Sequence, residues 1–211
     1  MKRERSPSDP PDYSVRERLL AGATELFARK GYAATNVREI VQAAGVTKPA
    51  LYYYFKNKEG IYLELMKEAA GKLDRLFDAY PREPGSIQAR ILKLYDRVFG
   101  IFMEHIQLAR IMYSIYYGPP QGAPFFDFEA YHLKMRDTIR KLVREGIRKG
   151  EFIKGNIENM VWAILGVLNV ATEVQLAHPE MEFKGQRLSG VLKVIFQGIA
   201  AERNQKKGEK P

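Results

Sequence analysis

The chain has 211 residues, of which 45% are apolar, enough to bury a substantial core. It contains no cysteine, which excludes a disulfide framework and any cysteine-based metal site or nucleophile. Its formal net charge of +9 favours an anionic partner, which can be nucleic acid, a membrane surface or an acidic protein. Residues 1–58 hold eleven Lys and Arg against six Asp and Glu, so more than half of the excess charge lies at the front. The alternative interpretation of this charge is solubility alone.

The front of the chain predicts a disordered tail followed by a helix. Residues 1–13 are charged, carry three prolines and lack the apolar core of a signal peptide, so we expect them to be disordered. Ser14 and Glu17 have the spacing of a capping box, which starts a helix. We expect Gly31 to end this helix as a left-handed cap. Its apolar face repeats at helical spacing through Val15, Leu19, Ala23 and Phe27.

Residues 36–55 predict two short helices separated by a tight turn. Asn36 and Glu39 have the spacing of a helix N-cap for the first of them. Gly45 permits the sharp turn, which a side chain would obstruct. Thr47 is expected to cap the next helix. The buried positions of that helix, four residues apart, are Leu51 and Phe55.

The remainder of the chain shows helical periodicity and no alternating strand pattern. We expect helices at about 58–80, 86–104, 106–117, 125–149, 156–177 and 185–203. Pro81, Pro84 and Gly85 break the first of these, and the sequence GPPQGAP at 118–124 predicts a loop. The fold class is therefore all-α with about nine helices, and the apolar stretch in 156–177 is too polar for a convincing membrane span.

The helix-turn-helix at 36–55 is the architecture that places a helix in the DNA major groove. Its first exposed residues, Thr47, Lys48 and Ala50, are expected to meet base edges, since the N-terminal part of such a helix does so. The next three residues can donate hydroxyl hydrogens to phosphate; they are Tyr52, Tyr53 and Tyr54. Thr35 and Lys58, each near the start of a helix, are expected to bind the flanking phosphates.

A structural alternative is a small helical hairpin with the three tyrosines in its core. Three consecutive positions of a helix point in different directions, so one neighbouring element cannot bury all of them. This favours the interpretation in which the tyrosines face outward.

These residues resemble the N-terminal domain of the tetracycline-repressor (TetR) family. The resemblance covers about sixty residues and includes the block LYYYFKNKE, from Leu51 to Glu59. Tyr54 stands where the family commonly has His, and a tyrosine can still donate to phosphate. Further matching positions are Phe27, Gly31, Tyr32, Thr35, Ile40, Ala44, Gly45 and Val46.

The resemblance implies a homodimer that binds double-stranded operator DNA and a small hydrophobic effector. It implies a three-helix DNA-binding domain at 14–58, a helical ligand-binding and dimerisation domain at 59–205, and terminal tails at 1–13 and 206–211. The dimer is expected to form through the last two helices. Its apolar positions there would be Ala163, Gly166, Val170, Val174, Leu188, Leu192, Ile195 and Ile199. The alternative for these residues is core within one chain.

Aromatic and methionine side chains around the central loop predict the effector pocket, because they adapt to bulky apolar ligands. Asn169 and Glu173 are candidate polar anchors in it. The other candidates are Met103, Met112, Tyr113, Tyr116, Tyr117, Phe126 and Trp162. The alternative for each of these side chains is ordinary core packing.

Catalytic and metal-binding signatures are absent from the sequence. His105, His132 and His178 have no metal-ligand spacing, and there is no GxSxG, phosphate-cradling or GxGxxG segment. We therefore expect no enzyme activity, no cofactor and no membrane partner. The predicted function is a cytoplasmic, nucleoid-associated prokaryotic repressor that its effector releases. The alternative is a helical lipid- or dye-binding module without DNA function, and a weaker one is a helical enzyme acting on a hydrophobic substrate.

Overall fold

The structure is a computed structural model that describes residues 14–80, 83–119, 121–181 and 185–199. The predicted tails at 1–13 and 206–211 and Pro81 lie outside the described residues. Within them the fold is all-α, as predicted, with nine α-helices and a short 3-10 turn at Pro179–Met181. The helices are α1 Val15–Lys30, α2 Val37–Ala43, α3 Lys48–Phe55, α4 Lys58–Ala79, α5 Ile87–Glu104, α6 Ile106–Tyr116, α7 Phe128–Lys149, α8 Ile157–Ala177 and α9 Gly185–Ile199.

Side-chain caps start several of these helices. Both predicted capping boxes form, one between Ser14 and Glu17 and the other between Asn36 and Glu39. Each satisfies amide donors that the first turn of a helix leaves open. At α7 the prediction was wrong by three residues. The carboxylate of Asp127 accepts from the Ala130 amide, so the helix begins at Phe128 and not at 125.

Two predicted caps differ from the structure. Thr47 occupies the N-cap position of α3 with extended backbone, but its side chain makes no capping hydrogen bond. Gly31 ends α1 with φ +84° and ψ 166°, which is positive in φ but extended in ψ, not left-handed helical. Gly31 still satisfies the helix end, since its amide donates to the Phe27 carbonyl at 3.0 Å.

The described residues form two compact units. Unit 1 consists of 14–68 together with 107–126 apart from residue 120, so it holds α1, α2, α3, the first half of α4 and nearly all of α6. Its core is built from apolar side chains that include Leu19, Ala23, Phe27, Ile40, Leu51, Phe55, Ile61, Tyr62 and Leu65. Unit 1 therefore differs from the domain predicted at 14–58, because it also contains most of α6.

Unit 2 holds the rest of α4 with α5, α7, α8 and α9. One continuous core fills it, with Leu94, Tyr95, Ile139, Val161 and Ile164 among its most buried members. Inside that core the Tyr95 hydroxyl donates to the Ile164 carbonyl at 2.7 Å, which satisfies a buried polar group. By length and composition alone α8 could cross a membrane, but its inner face belongs to this core.

The apolar face of α9 shows that one part of the predicted dimer surface was wrong. Leu188 and Leu192 are fully buried in the core of unit 2, and Ile195 and Ile199 pack against that core. For these four residues the alternative of core within one chain is correct, because the stripe at i, i+4 and i+7 is the stripe that covers the core. The opposite face of α9 is the exposed one, and it carries Gly190, Val191, Val194 and Gly198.

Candidate nucleic-acid interface

Backbone hydrogen bonds close the turn between α2 and α3. The Ala44 amide donates to the Ile40 carbonyl at 3.0 Å and the Val46 amide to the Val41 carbonyl at 3.0 Å. Gly45 takes φ +61°, which a residue without a side chain adopts at no steric cost. The turn therefore holds α3 in a fixed direction relative to α2.

The orientation of α3 about its own axis is set by two apolar anchors. Leu51 and Phe55 are buried in the core of unit 1, as the sequence predicted. The side chains between them must then point outward. Tyr52, Tyr53 and Tyr54 are 51%, 82% and 44% exposed, which excludes the alternative in which all three lie in a core.

The outer surface of α3 begins with Thr47 and Lys48, both exposed, and continues through the half-exposed Ala50. The rings of Tyr53 and Tyr54 meet edge to face with centroids 4.9 Å apart, an arrangement that restricts both. The result is an exposed helix surface that carries one cation and four hydroxyl groups. We call the surface formed by Thr47, Lys48, Ala50, Tyr52, Tyr53 and Tyr54 the α3 surface.

Thr35 lies inside the turn between α1 and α2, not on its surface. Its side chain is 1% exposed, and its hydroxyl donates to the Gly31 carbonyl at 2.9 Å. Its amide donates to the Tyr32 carbonyl at 3.2 Å. Both donors are used within the protein, so the expected phosphate contact through Thr35 is not available in this structure.

Lys58 is also engaged within the protein, at the first position of α4. Its ammonium donates to the Tyr32 carbonyl at 2.9 Å and to the Thr35 carbonyl at 2.8 Å. It also lies 4.0 Å from the centroid of the Tyr32 ring, within cation–π range. Burial, with a smaller contribution from Lys30, lowers the pKa of Lys58. Two of its three donors hold the α1–α2 turn, so we correct its role from phosphate binding to support of that turn.

An aromatic cluster beneath this turn connects α1 to α4. The Tyr32 ring lies 5.4 Å from Phe27 and 5.2 Å from Tyr62, measured between centroids. The Tyr62 hydroxyl is buried, and burial raises its pKa to about 12. Arg16 of α1 forms an ion pair with Glu64 of α4 and lies 5.7 Å from the Phe55 ring centroid. Arg16 of α1 thus contacts both α3 and α4.

Sequence reasoning missed the part that Gln121 plays in unit 1. Its Oε1 accepts from the Tyr32 amide at 3.0 Å, and its Nε2 donates to the Ser114 carbonyl at 3.2 Å. A glutamine within a Gly- and Pro-rich loop gives no signal of such a contact, because its partners lie 89 and 7 residues away.

The predicted pocket residues are divided between the two units. In unit 1, Met112 and Tyr113 are half-buried on α6, Tyr116 and Tyr117 are exposed at its end, and Phe126 is half-buried. The ring of Tyr117 meets Tyr113 at 5.3 Å and Tyr116 at 4.8 Å between centroids. These three rings form one aromatic group at the end of α6, and two of them are exposed.

In unit 2 the remaining candidates do not share one environment. Met103 packs against the core. Trp162 is 57% exposed, and Asn169 and Glu173 are exposed on the same helix. Three of the candidates therefore lie on the outer surface of α8 and do not line a cavity within unit 2. Among the described residues, no group of three or more His, Asp and Glu is arranged to hold a metal ion.

Comparison with known proteins places this arrangement in a family. Residues 19–65 match the family described as "Bacterial regulatory proteins, tetR family". The chain is similar to the HTH-type transcriptional repressor KstR2 of Mycolicibacterium smegmatis, with 31% identity over 150 residues that cover 70% of this chain and 71% of that protein.

Two solved structures show the same fold. The ketosteroid transcriptional regulator KstR2 of Mycobacterium tuberculosis matches with a TM-score of 0.72 at 22% identity, covering 91% of this chain and 98% of that one. FadR from Bacillus subtilis in complex with stearoyl-CoA matches with a TM-score of 0.64 at 18% identity, covering 87% and 98%. The helix-turn-helix, the all-helical architecture and these relatives agree: the chain belongs to the TetR family of bacterial regulators, which are DNA-binding transcription factors and not enzymes.

Proposed function

We propose that this protein is a repressor that binds a near-palindromic operator as a homodimer and leaves it when a small hydrophobic effector binds. The observation that carries the proposal is the α3 surface, on which Lys48 and three tyrosines are exposed while Leu51 and Phe55 anchor the helix from behind. A dimer would present two copies of this surface to successive major grooves, about 34–36 Å apart.

In each groove the chemistry of the α3 surface suits two kinds of contact. The Lys48 ammonium can donate to guanine O6 or N7, and the Ala50 methyl can pack on a thymine methyl. The tyrosine hydroxyls can donate to phosphate oxygens, which position the helix without reading sequence. Thr35 and Lys58 no longer belong to this set, because their donors hold the α1–α2 turn.

Salt dependence tests the proposal directly. An operator selected from random duplex DNA should lose affinity with salt at a log–log slope of about −2 or steeper, because two copies of Lys48 release counterions. Tenfold more salt would then weaken binding by about 100-fold or more. Fluorescence anisotropy over a salt series measures this slope. A flat response, or no DNA recovered by selection, would favour the lipid- or dye-binding alternative.

The exposed faces of α8 and α9 support a dimer through the last two helices. Val170 on α8 is 55% exposed and Val194 on α9 is 66% exposed; Ala163, seven residues before Val170 on α8, is exposed too. A side chain at Gly166 or Gly190 would meet nothing within 4 Å, so both positions are open to another chain. Small residues of this kind allow helices to approach closely, and apolar side chains exposed on both helices are typical of an interface.

Val194→Glu is expected to convert the dimer to a monomer. In a two-fold interface the substitution appears twice and buries two unpaired carboxylates, each of which costs several kcal/mol after relaxation. Sedimentation velocity measures the change in mass. Leu133→Glu is the matched control, since Leu133 is an exposed apolar residue on α7. Dimers of unchanged affinity in Val194→Glu would show that α9 does not form the interface.

We further propose that the effector is an acyl or polycyclic hydrophobic molecule. The similar FadR was crystallised with stearoyl-CoA, and the similar KstR2 is a ketosteroid regulator. In this chain the aromatic group at the end of α6 offers the matching chemistry. Such a ligand can release DNA only by binding the released state more tightly than the bound state. A thermal-shift screen of fatty acyl and steroid compounds tests the class. We place the protein in the bacterial cytoplasm, on the nucleoid.

A further inference from the structure

Two segments that come later in the chain hold the α1–α2 turn of unit 1. On one side, the Lys58 ammonium at the start of α4 donates to the carbonyls of Tyr32 and Thr35. On the other side, the Gln121 side chain, which follows α6, accepts a hydrogen bond from the amide of the same Tyr32 at 3.0 Å. One residue, Tyr32, therefore has its carbonyl bound to the start of α4 and its amide bound to the α6 side.

Gln121 uses both ends of its amide. Oε1 accepts from Tyr32, and Nε2 donates to the Ser114 carbonyl in the last turn of α6 at 3.2 Å. The last carbonyls of a helix have no partner within it, so this bond also caps α6. A single side chain thus joins the end of α6 to the turn that precedes α2.

The backbone at Gly31 is shaped around this contact. A Cβ on Gly31 would lie 2.6 Å from the Gln121 Oε1 atom, closer than van der Waals contact allows. Gly31 also has φ +84°, which glycine adopts readily. The absence of a side chain there leaves the space in which the Gln121 amide reaches Tyr32.

We propose that Gln121 is a positioning residue that couples α6 to the DNA-binding helices. When Gln121 bridges Ser114 and Tyr32, a shift of the last turn of α6 moves the α1–α2 turn, and through Lys58 it moves the start of α4 directly after α3. The effect on operator binding rests on the proposed function, but the two hydrogen bonds of the bridge can be measured without DNA. Because Tyr113 and Tyr116 lie on α6 and Tyr117 directly follows it, the bridge would transmit occupancy of the effector site to the α3 surface.

Because coupling between two sites is reciprocal, it can be measured from the DNA side without knowing the effector. If α6 influences operator binding through Gln121, operator binding must influence α6 through the same bridge. Operator DNA should therefore change amide hydrogen exchange at residues 113–118, the last turn of α6 and the two residues after it, although these residues are not part of the α3 surface.

Amide hydrogen exchange, resolved by NMR on the whole 211-residue chain, tests the bridge first without DNA. In Gln121→Ala the Tyr32 amide should exchange about tenfold faster or more, because it loses the acceptor that Gln121 provides. In Gln121→Glu the carboxylate still accepts from Tyr32 but cannot donate to Ser114, so Tyr32 stays protected and only residues 113–118 exchange faster. Gln107→Ala, at an exposed glutamine of α6, is the matched control and should change neither. An unchanged Tyr32 rate in Gln121→Ala overturns the proposal.

The second stage adds selected operator DNA. In the parent and in Gln107→Ala, operator should alter exchange at residues 113–118; in Gln121→Ala and Gln121→Glu this response should vanish while α3 remains protected by DNA. A merely structural role for Gln121 would lower thermal stability and leave the response intact, and that result overturns the coupling. If the parent binds no DNA, the proposed function fails, and the DNA-free exchange rates still decide whether the bridge exists.

Discussion

Lys48→Ala is expected to weaken operator binding by about 30-fold or more. A contact of lysine to a base edge or phosphate contributes about 1–3 kcal/mol, and a dimer loses two of them. The log–log salt slope should become shallower by about 2, because two counterion-releasing charges are gone. Lys48 is exposed, so the fold should not change. Anisotropy titrations at several salt concentrations measure both quantities, and circular dichroism checks the fold.

Two companion variants separate charge from hydroxyl chemistry. Tyr53→Phe removes an exposed hydroxyl and keeps the ring, so it should weaken binding by about fivefold and leave the salt slope unchanged. Lys67→Ala removes an exposed lysine from α4 and should leave affinity within about twofold. Parent-like affinity in both Lys48→Ala and Tyr53→Phe would show that α3 is not the recognition helix.

Gly60→Ala is expected to destabilise the protein by about 1–3 kcal/mol or more, against the usual preference for alanine in a helix. A Cβ on Gly60, in the first turn of α4, would lie 2.1 Å from the Phe55 carbonyl oxygen at the end of α3. That oxygen is backbone and cannot rotate away, so the junction between α3 and α4 must move. Operator affinity should fall together with the melting temperature.

Gly71→Ala provides the matched control in the same helix. There the nearest atom to a new Cβ is the Arg75 guanidinium nitrogen at 3.5 Å, which is ordinary contact. Alanine should therefore raise the free energy of unfolding by up to about 1 kcal/mol. Thermal and urea unfolding compare the pair. Equal stabilisation by both substitutions would mean that α3 and α4 do not meet as closely at Gly60 as the structure describes.

The sequence was sufficient where the determinants are local. Ser14 with Glu17 and Asn36 with Glu39 make capping boxes because each partner is three residues away. The outward direction of Tyr52, Tyr53 and Tyr54 follows from Leu51 and Phe55 and the period of the helix alone. These local rules are enough to predict the helix-turn-helix, whereas the family followed from the resemblance of about sixty residues around it.

The sequence was insufficient where a side chain forms a hydrogen bond with a backbone group that is distant in the chain. Lys58 looked like a phosphate ligand because its position at a helix start is all that spacing shows. Its partners are carbonyls of a turn 23 and 26 residues earlier. Thr35 was misplaced for the same reason. On α9, periodicity identified an apolar stripe correctly but could not tell whether its own chain or a second copy covers it.

The Gln121 amide occupies the place that a side chain at Gly31 would take, so the effects of substitutions at positions 31 and 121 depend on each other. A side chain at 31 displaces the Gln121 amide, after which substitutions at 121 should have no further effect on the turn. With glycine at 31, by contrast, each substitution at 121 changes the hydrogen bond that the Tyr32 amide makes. The fitness cost of a change at one position thus depends on the residue at the other, and a paired mutational scan would show this as strong epistasis between two sites 90 residues apart.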